Sequence, residues 1–155
     1  MKTLVLGLGN PLLGDDGVGW RVAEAVEEHA RPPAVDVDCQ AGGGLSLMER
    51  LVGYDRAIVV DAAHLGRGPA GSVYTFPLED LANPFSGHLG SAHETSLLTA
   101  LEVGRALGAA LPDQVMVVAI ESPNVYDFRE TLTAPVAAAV PRAAAAVLSL
   151  LEDKA

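Results

Sequence analysis

Two adjacent aspartates, Asp15 and Asp16, stand in a glycine-rich stretch, LGLGNPLLGDDGVGW, at positions 6–20. A third acid, Asp61, closes the apolar run RAIVVD, and His93 stands in the segment SAHETSL. Carboxylates and an imidazole form a donor set for a divalent transition metal, because imidazole suits zinc, nickel or copper and carboxylates widen that range. Three protein donors leave positions open, as catalytic and transfer sites do, whereas structural zinc sites close with four. Each residue also has a local reading. Asp15 or Asp16 would serve as an N-cap for a following helix, Asp61 as a turn former, and His93 as an ordinary first-turn helix residue.

Phosphate chemistry is the rival use of such a loop. A dinucleotide fingerprint starting at Gly7 and Gly9 requires glycine at position 12, which is Leu12, although Asp36 or Asp38 could imitate its ribose-binding acid. The spacing of Gly9 and Gly14 fits a P-loop, but Asp15 and Asp16 replace the lysine and hydroxyl that should follow. Two carboxylates beside a phosphate repel it by roughly several kcal/mol at short range. The loop is therefore shaped for a cation, and a nucleotide-binding oxidoreductase is the weakest reading. No nucleotide or flavin is expected.

The elements that position these residues follow from the apolar pattern. Residues 3–9 read as a buried parallel strand. A helix over about 17–30 follows, with Val18, Val22, Ala25 and Val26 on its apolar face. A second strand covers about 34–40, and Gly42-Gly43-Gly44 leads into a short helix. The third strand, 56–61, ends on Asp61. The segment SVYTFPL alternates like an edge strand, and a long loop over about 77–91 is the unusual segment, since loops of that length are more often functional. Ser91 and Glu94 match a capping box for the next helix. The last strand is 114–121. An Ala/Leu helix over 134–152 ends the pattern, with Thr133 as its cap, Pro135 in its first turn and a kink expected at Pro141.

Strands alternating with helices imply a three-layer α/β/α sandwich on a mostly parallel, about five-stranded twisted sheet, in one domain. Ligands of such sheets bind outside the carboxyl ends of the strands. Asp15 and Asp16 lie just past strand 1, and Asp61 ends strand 3. If the last strand is parallel to these, the helix before it starts at the same edge, which brings His93 there too. That convergence favours the chemical reading over the three local ones. Glu121 ends the last strand on this rim and is a candidate to hold substrate. His64 and His88 are substitute ligands. Cys39 as a nucleophile needs an activating base, and no histidine adjoins it in the sequence.

Composition narrows the partners. The 155 residues are 50% hydrophobic and 19% charged, with a net charge of −10 and no run of Lys or Arg. Such a chain repels nucleic acid and anionic membranes. The lone cysteine excludes thiolate-cluster metal sites. The N-terminal apolar run is too short for a signal peptide, and no uninterrupted stretch approaches a membrane span, so a cytoplasmic protein is expected.

The stretch LVLGLGNPLLGDDGVG resembles the N-terminal signature of the hydrogenase maturation endopeptidases, which process the large subunit of nickel hydrogenases. AGGGLSLMERL is similar to that family's glycine-rich segment after strand 2, and IVVDA and SAHETSL match its aspartate and histidine motifs in order and spacing. ESPNVYDFRETLTAPV resembles a segment of only some members. The resemblance implies an endopeptidase that removes a C-terminal extension from the hydrogenase large-subunit precursor. Asp16, Asp61 and His93 would be its metal-binding and catalytic residues. Some members carry Glu where this chain has Asp16. The nickel would arrive with the precursor, and the enzyme would act as a monomer. Gly42, Gly43 and Gly44, on the same rim, would let the precursor backbone approach. A metal-dependent checkpoint or chaperone that binds the precursor without cutting it would use the same ligands.

Overall fold

The structure, a computed structural model, describes residues 1–29, 33–82, 92–123 and 127–153, with the backbone alone at 81–82 and 92–96. In order, the elements are β1 (Thr3–Leu8), a 3-10 turn (Gly14–Gly17), α1 (Val18–Glu27), β2 (Val35–Gln40), α2 (Gly44–Leu51) and β3 (Arg56–Ala63). Then come β4 (Val73–Pro77), a second 3-10 turn (Leu78–Ala82), α3 (Ala92–Ala106), β5 (Gln114–Glu121) and α4 (Ala134–Glu152).

The strands form a five-stranded sheet in the order β2-β1-β3-β5-β4. β1, β2, β3 and β5 are parallel, and β4 runs antiparallel to β5 at one edge. The expected α/β sandwich is thus present. Side chains alternate across each strand, so each face has its own core. On one face Leu4, Leu6, Leu8, Ala57, Val59 and Val117 pack with Leu47 and Leu51 of α2 and Leu97 and Leu101 of α3. On the other, Val5, Ile58, Val60 and Ile120 pack with Val18, Val22 and Val26 of α1 and with Val136, Ala139, Ala143 and Val147 of α4.

Two details depart from expectation. β3 continues past Asp61 to Ala63, because Ala62 and Ala63 still pair with Ile120 and Glu121. Asp61 is therefore inside the strand and not its closing turn residue. Thr133 does stand at the N-cap of α4, yet its side chain makes no cap hydrogen bond. Ser91 and His88 lie outside the described residues, as does most of the 77–91 loop; its described start is the 3-10 turn Leu78–Ala82.

α4 runs through Pro141 as a single helix of 19 residues. With a mean hydropathy of 1.7, it has the length and composition of a membrane span, which the sequence reading did not anticipate. Its Val136, Ala139, Ala143, Ala144 and Val147 are buried against the sheet and α1. Arg142, inside the same helix, donates from Nη2 to the Gly71 carbonyl at 2.7 Å.

Candidate functional site at the carboxyl rim of the sheet

The site grows from the glycines that follow β1. Gly9 has φ +119°, a conformation L residues rarely adopt, and a Cβ there would run into the backbone carbonyl of Asp16. The chain turns at once: Leu13 N–H donates to the Asn10 carbonyl at 3.0 Å, and Leu12 N–H donates to Asn10 Oδ1 at 2.9 Å. The loop folds back so that Asn10 N–H donates to Asp16 Oδ2 at 2.8 Å. Asp16 is thereby held, partly exposed, over the end of β1.

Asp61 is completely buried. The register pairs Gly7 with Val60 and Asp61 with Ala119, which sets Asp61 level with Leu8, directly below the Gly9 turn. Alternation along β3 puts Asp61 on the same face as Ala57, Val59 and Ala63, the face that α2 and α3 cover. His93 stands in the first turn of α3, and its side chain lies outside the described residues. β5 is parallel to β3, so α3, which precedes it, starts at the rim as the sequence implied. The backbone thus brings the Asp16 loop, Asp61 and the start of α3 to one edge. Among the described residues no three His, Cys, Asp or Glu side chains form a metal-holding group, and the His93 side chain is not among those residues. The donor chemistry of two carboxylates and an imidazole fits a divalent transition metal.

Asp15 does something else. It is completely buried and caps nothing, since α1 has Gly17 at its N-cap position without a side-chain bond. Its Oδ1 accepts the Thr133 N–H at 2.7 Å, and its Oδ2 accepts the hydroxyls of Ser122 at 2.6 Å and Thr133 at 2.8 Å. The two aspartates therefore have different surroundings, one sealed inside and one at the rim. The N-cap reading holds for neither.

Glu121 also departs from its expected role. It is buried, and both oxygens are used: Leu65 N–H donates to Oε2 at 2.7 Å and Gly66 N–H to Oε1 at 2.6 Å. It fastens the turn after β3 and is not presented to a substrate. His64 is exposed in that turn. Cys39 is half-buried, and burial, followed by the charges of Glu24, Asp38 and Glu27, pushes its thiol up to about 11. A protonated thiol is a poor nucleophile.

The would-be ribose acids are committed as well. Asp38 Oδ2 accepts Arg50 Nε at 2.6 Å, and Asp36 Oδ2 accepts the Tyr54 hydroxyl at 2.7 Å. The Tyr54 hydrogen bond holds the Asp36 carboxyl below its ordinary range, with Lys2 and Arg50 assisting. Arg50 is raised, first by its hydrogen bond to Asp38 and then by that to Tyr54.

The three glycines after β2 differ from one another. A Cβ on Gly42 would collide with Ser46 Oγ, which donates to the Gly43 carbonyl at 3.1 Å and accepts Gln40 Nε2 at 3.0 Å. Gly43 is the exposed N-cap of α2, and a Cβ there would meet nothing within 4 Å. Gly44 is the buried first residue of that helix. The turn itself explains Gly42, whereas local packing makes no demand at Gly43.

A family model described as hydrogenase maturation protease matches residues 20–150. The chain is 28% identical over 154 residues to the hydrogenase 2 maturation protease of Escherichia coli strain K12, covering 99% of this chain and 92% of that protein. It is 29% identical over 153 residues to the hydrogenase expression/formation protein HupM of Azotobacter chroococcum mcd 1, covering 97% and 72%. The fold superimposes on the hydrogenase maturating endopeptidase HybD from E. coli with a TM-score of 0.81 at 27% identity, over 97% of this chain and 92% of that one. The family model begins after the twin aspartates, while the E. coli relative spans nearly the whole chain, their loop included. With a family match across most of its length and a matching fold, this chain belongs to the hydrogenase maturation protease family and is a peptide hydrolase of hydrogenase maturation.

Proposed function

We propose that this enzyme removes a C-terminal extension from the nickel-containing hydrogenase large-subunit precursor, and that Asp16, Asp61 and His93 recognise the nickel already bound there. The observation that carries this reading is the fully buried Asp61, level with the end of β1 and on the face covered by the His93-bearing helix. The strand holds this carboxylate in place as an oxygen donor, and a divalent ion delivered with the substrate could take it as a ligand. Three protein donors hold such an ion weakly alone and firmly once the precursor's own ligands complete the shell. The ion would polarise the scissile carbonyl, and cutting would then report that the precursor is correctly assembled. The raised Cys39 thiol argues against a cysteine nucleophile. We further place the reaction in the cytoplasm with a monomeric enzyme, and assign the open backbone at Gly43 to contact with the precursor.

Incubation of purified enzyme with nickel-loaded and nickel-free precursor, followed by mass spectrometry, tests the reading. Only the loaded form should lose its C-terminal extension. Asp16→Asn, Asp61→Asn and His93→Ala should each fold and leave it intact. Equal cleavage of both forms in chelator would remove nickel from the mechanism. Nickel-dependent binding with no cleavage would instead identify a checkpoint protein.

A further inference from the structure

We infer that Asp15 is a positioning residue, whose buried carboxylate clamps the segment between β5 and α4 onto the Asp16 loop and so sets where Asp16 is presented. The inference rests on the functional reading only in taking Asp16 as the residue that matters at the rim.

Both Asp15 oxygens are engaged by groups far away in the chain. Ser122 Oγ donates at 2.6 Å, Thr133 N at 2.7 Å and Thr133 Oγ1 at 2.8 Å. The same two segments are laced by backbone bonds: Gly14 N–H donates to the Arg129 carbonyl at 2.6 Å, and Arg129 N–H to the Leu12 carbonyl at 3.0 Å. The Asp16 loop is therefore fastened at Leu12, Gly14 and Asp15, immediately before Asp16. In a 3-10 turn successive residues point about 120° apart. With Asp15 pulled inward, Asp16 is turned away from it, to where the Asn10 N–H meets its Oδ2 at 2.8 Å.

Thr133 supplies an independent sign. A threonine at an N-cap ordinarily bonds to the amides of its own helix. Here its hydroxyl goes to Asp15 and caps nothing in α4. The second aspartate of the pair is thus explained without a second ligand, as an anchor that lets its neighbour be aimed. A carboxylate accepts from all three donors at once, whereas an amide either sets an N–H against the Thr133 N–H or makes both hydroxyls turn and accept.

The test compares Asp15→Asn, Thr133→Val and Thr133→Ser with the parent enzyme. The Asn10 amide, bonded to Asp16, reports the position of that carboxylate without any metal. Its hydrogen exchange should quicken at least tenfold in Asp15→Asn and Thr133→Val and return to the parent rate in Thr133→Ser, which keeps the hydroxyl. Ile58→Val, a core substitution remote from the clamp, should leave the ratio of Asn10 exchange to that of core amides unchanged. With loaded precursor, Thr133→Val should lower kcat about tenfold, and Thr133→Ser should restore it. Unaltered Asn10 exchange in Thr133→Val overturns the inference, even if Asp15→Asn fails to fold. Equal cleavage of loaded and nickel-free precursor by the parent enzyme would overturn the nickel reading instead and leave the exchange result standing.

Discussion

Acidic and thiol side chains near the rim differ in what burial does to them. Glu121 gives both oxygens to the backbone N–H groups of Leu65 and Gly66. In Glu121→Gln one of those donors would face an amide N–H, and an unsatisfied buried donor costs about 1–3 kcal/mol. Urea denaturation should show a loss of that size, with the affinity for precursor unchanged. A weakened affinity at equal stability would return Glu121 to the substrate. Cys39 titrates at about 11 rather than the ordinary 9.0, because burial and acidic neighbours disfavour the thiolate. Near neutral pH the thiolate fraction is then about a hundredfold lower than in a free thiol. Alkylation by iodoacetamide should be slowed to that degree and should accelerate only as pH rises toward 11, and Cys39→Ala should cleave precursor at the parent rate. Rapid modification at pH 7 with loss of cleavage would contradict this.

At the level of elements, the glycine-rich stretch serves helix packing as well as the rim. A Cβ on Gly19, in the first turn of α1, would run into the backbone carbonyls of Val60 and Leu8, and one on Gly7 would strike the Gly19 carbonyl. α1 therefore lies directly on β1 and β3, and that seat sets the height of the turn carrying Asp15 and Asp16. Backbone oxygens cannot swing aside as side chains do, so Gly19→Ala should cost at least about 1–3 kcal/mol, the usual range for overpacking. It should also lower precursor cleavage beyond what the unfolded fraction explains. Gly43→Ala meets no neighbour and has an ordinary backbone conformation, with φ −85°. Its melting temperature should hold. Cleavage should fall if the precursor touches this backbone, and cleavage at the parent rate would reduce Gly43 to a simple turn residue.

Over the whole molecule, α4 is the element whose environment decides its nature. Alone it has the composition of a membrane span, but Val136, Ala139, Ala143 and Val147 close the core formed by β1, β3, β5 and α1. Removing residues 134–155 would expose that face of the sheet and release Thr133 from its helix. The truncated chain should lose cooperative thermal unfolding and bind a hydrophobic dye, the behaviour of a chain without fixed packing. Cooperative melting near the parent temperature would mean that α4 is peripheral.

The sequence by itself determined the strands, the parallel direction of most of them and the rim on which the acids gather. Buried runs such as TLVLGLG and RAIVVD leave few alternatives, and a helix connecting parallel strands must return to the opposite edge. It also pointed to the family through LGLGNPLLGDDGVG and IVVDA, which the family match then bore out. The family resemblance singled out Asp16, but only the tertiary structure gave Asp15 a role, since distant groups, Ser122 and Thr133, reach its carboxylate. The same holds for Thr133, drawn from its helix by Asp15, and for Glu121, occupied by the turn after β3. Local pattern reports periodicity and capping chemistry. Hydrogen bonds between residues more than fifty positions apart depend on how the folded elements meet, and that information lies in the packing.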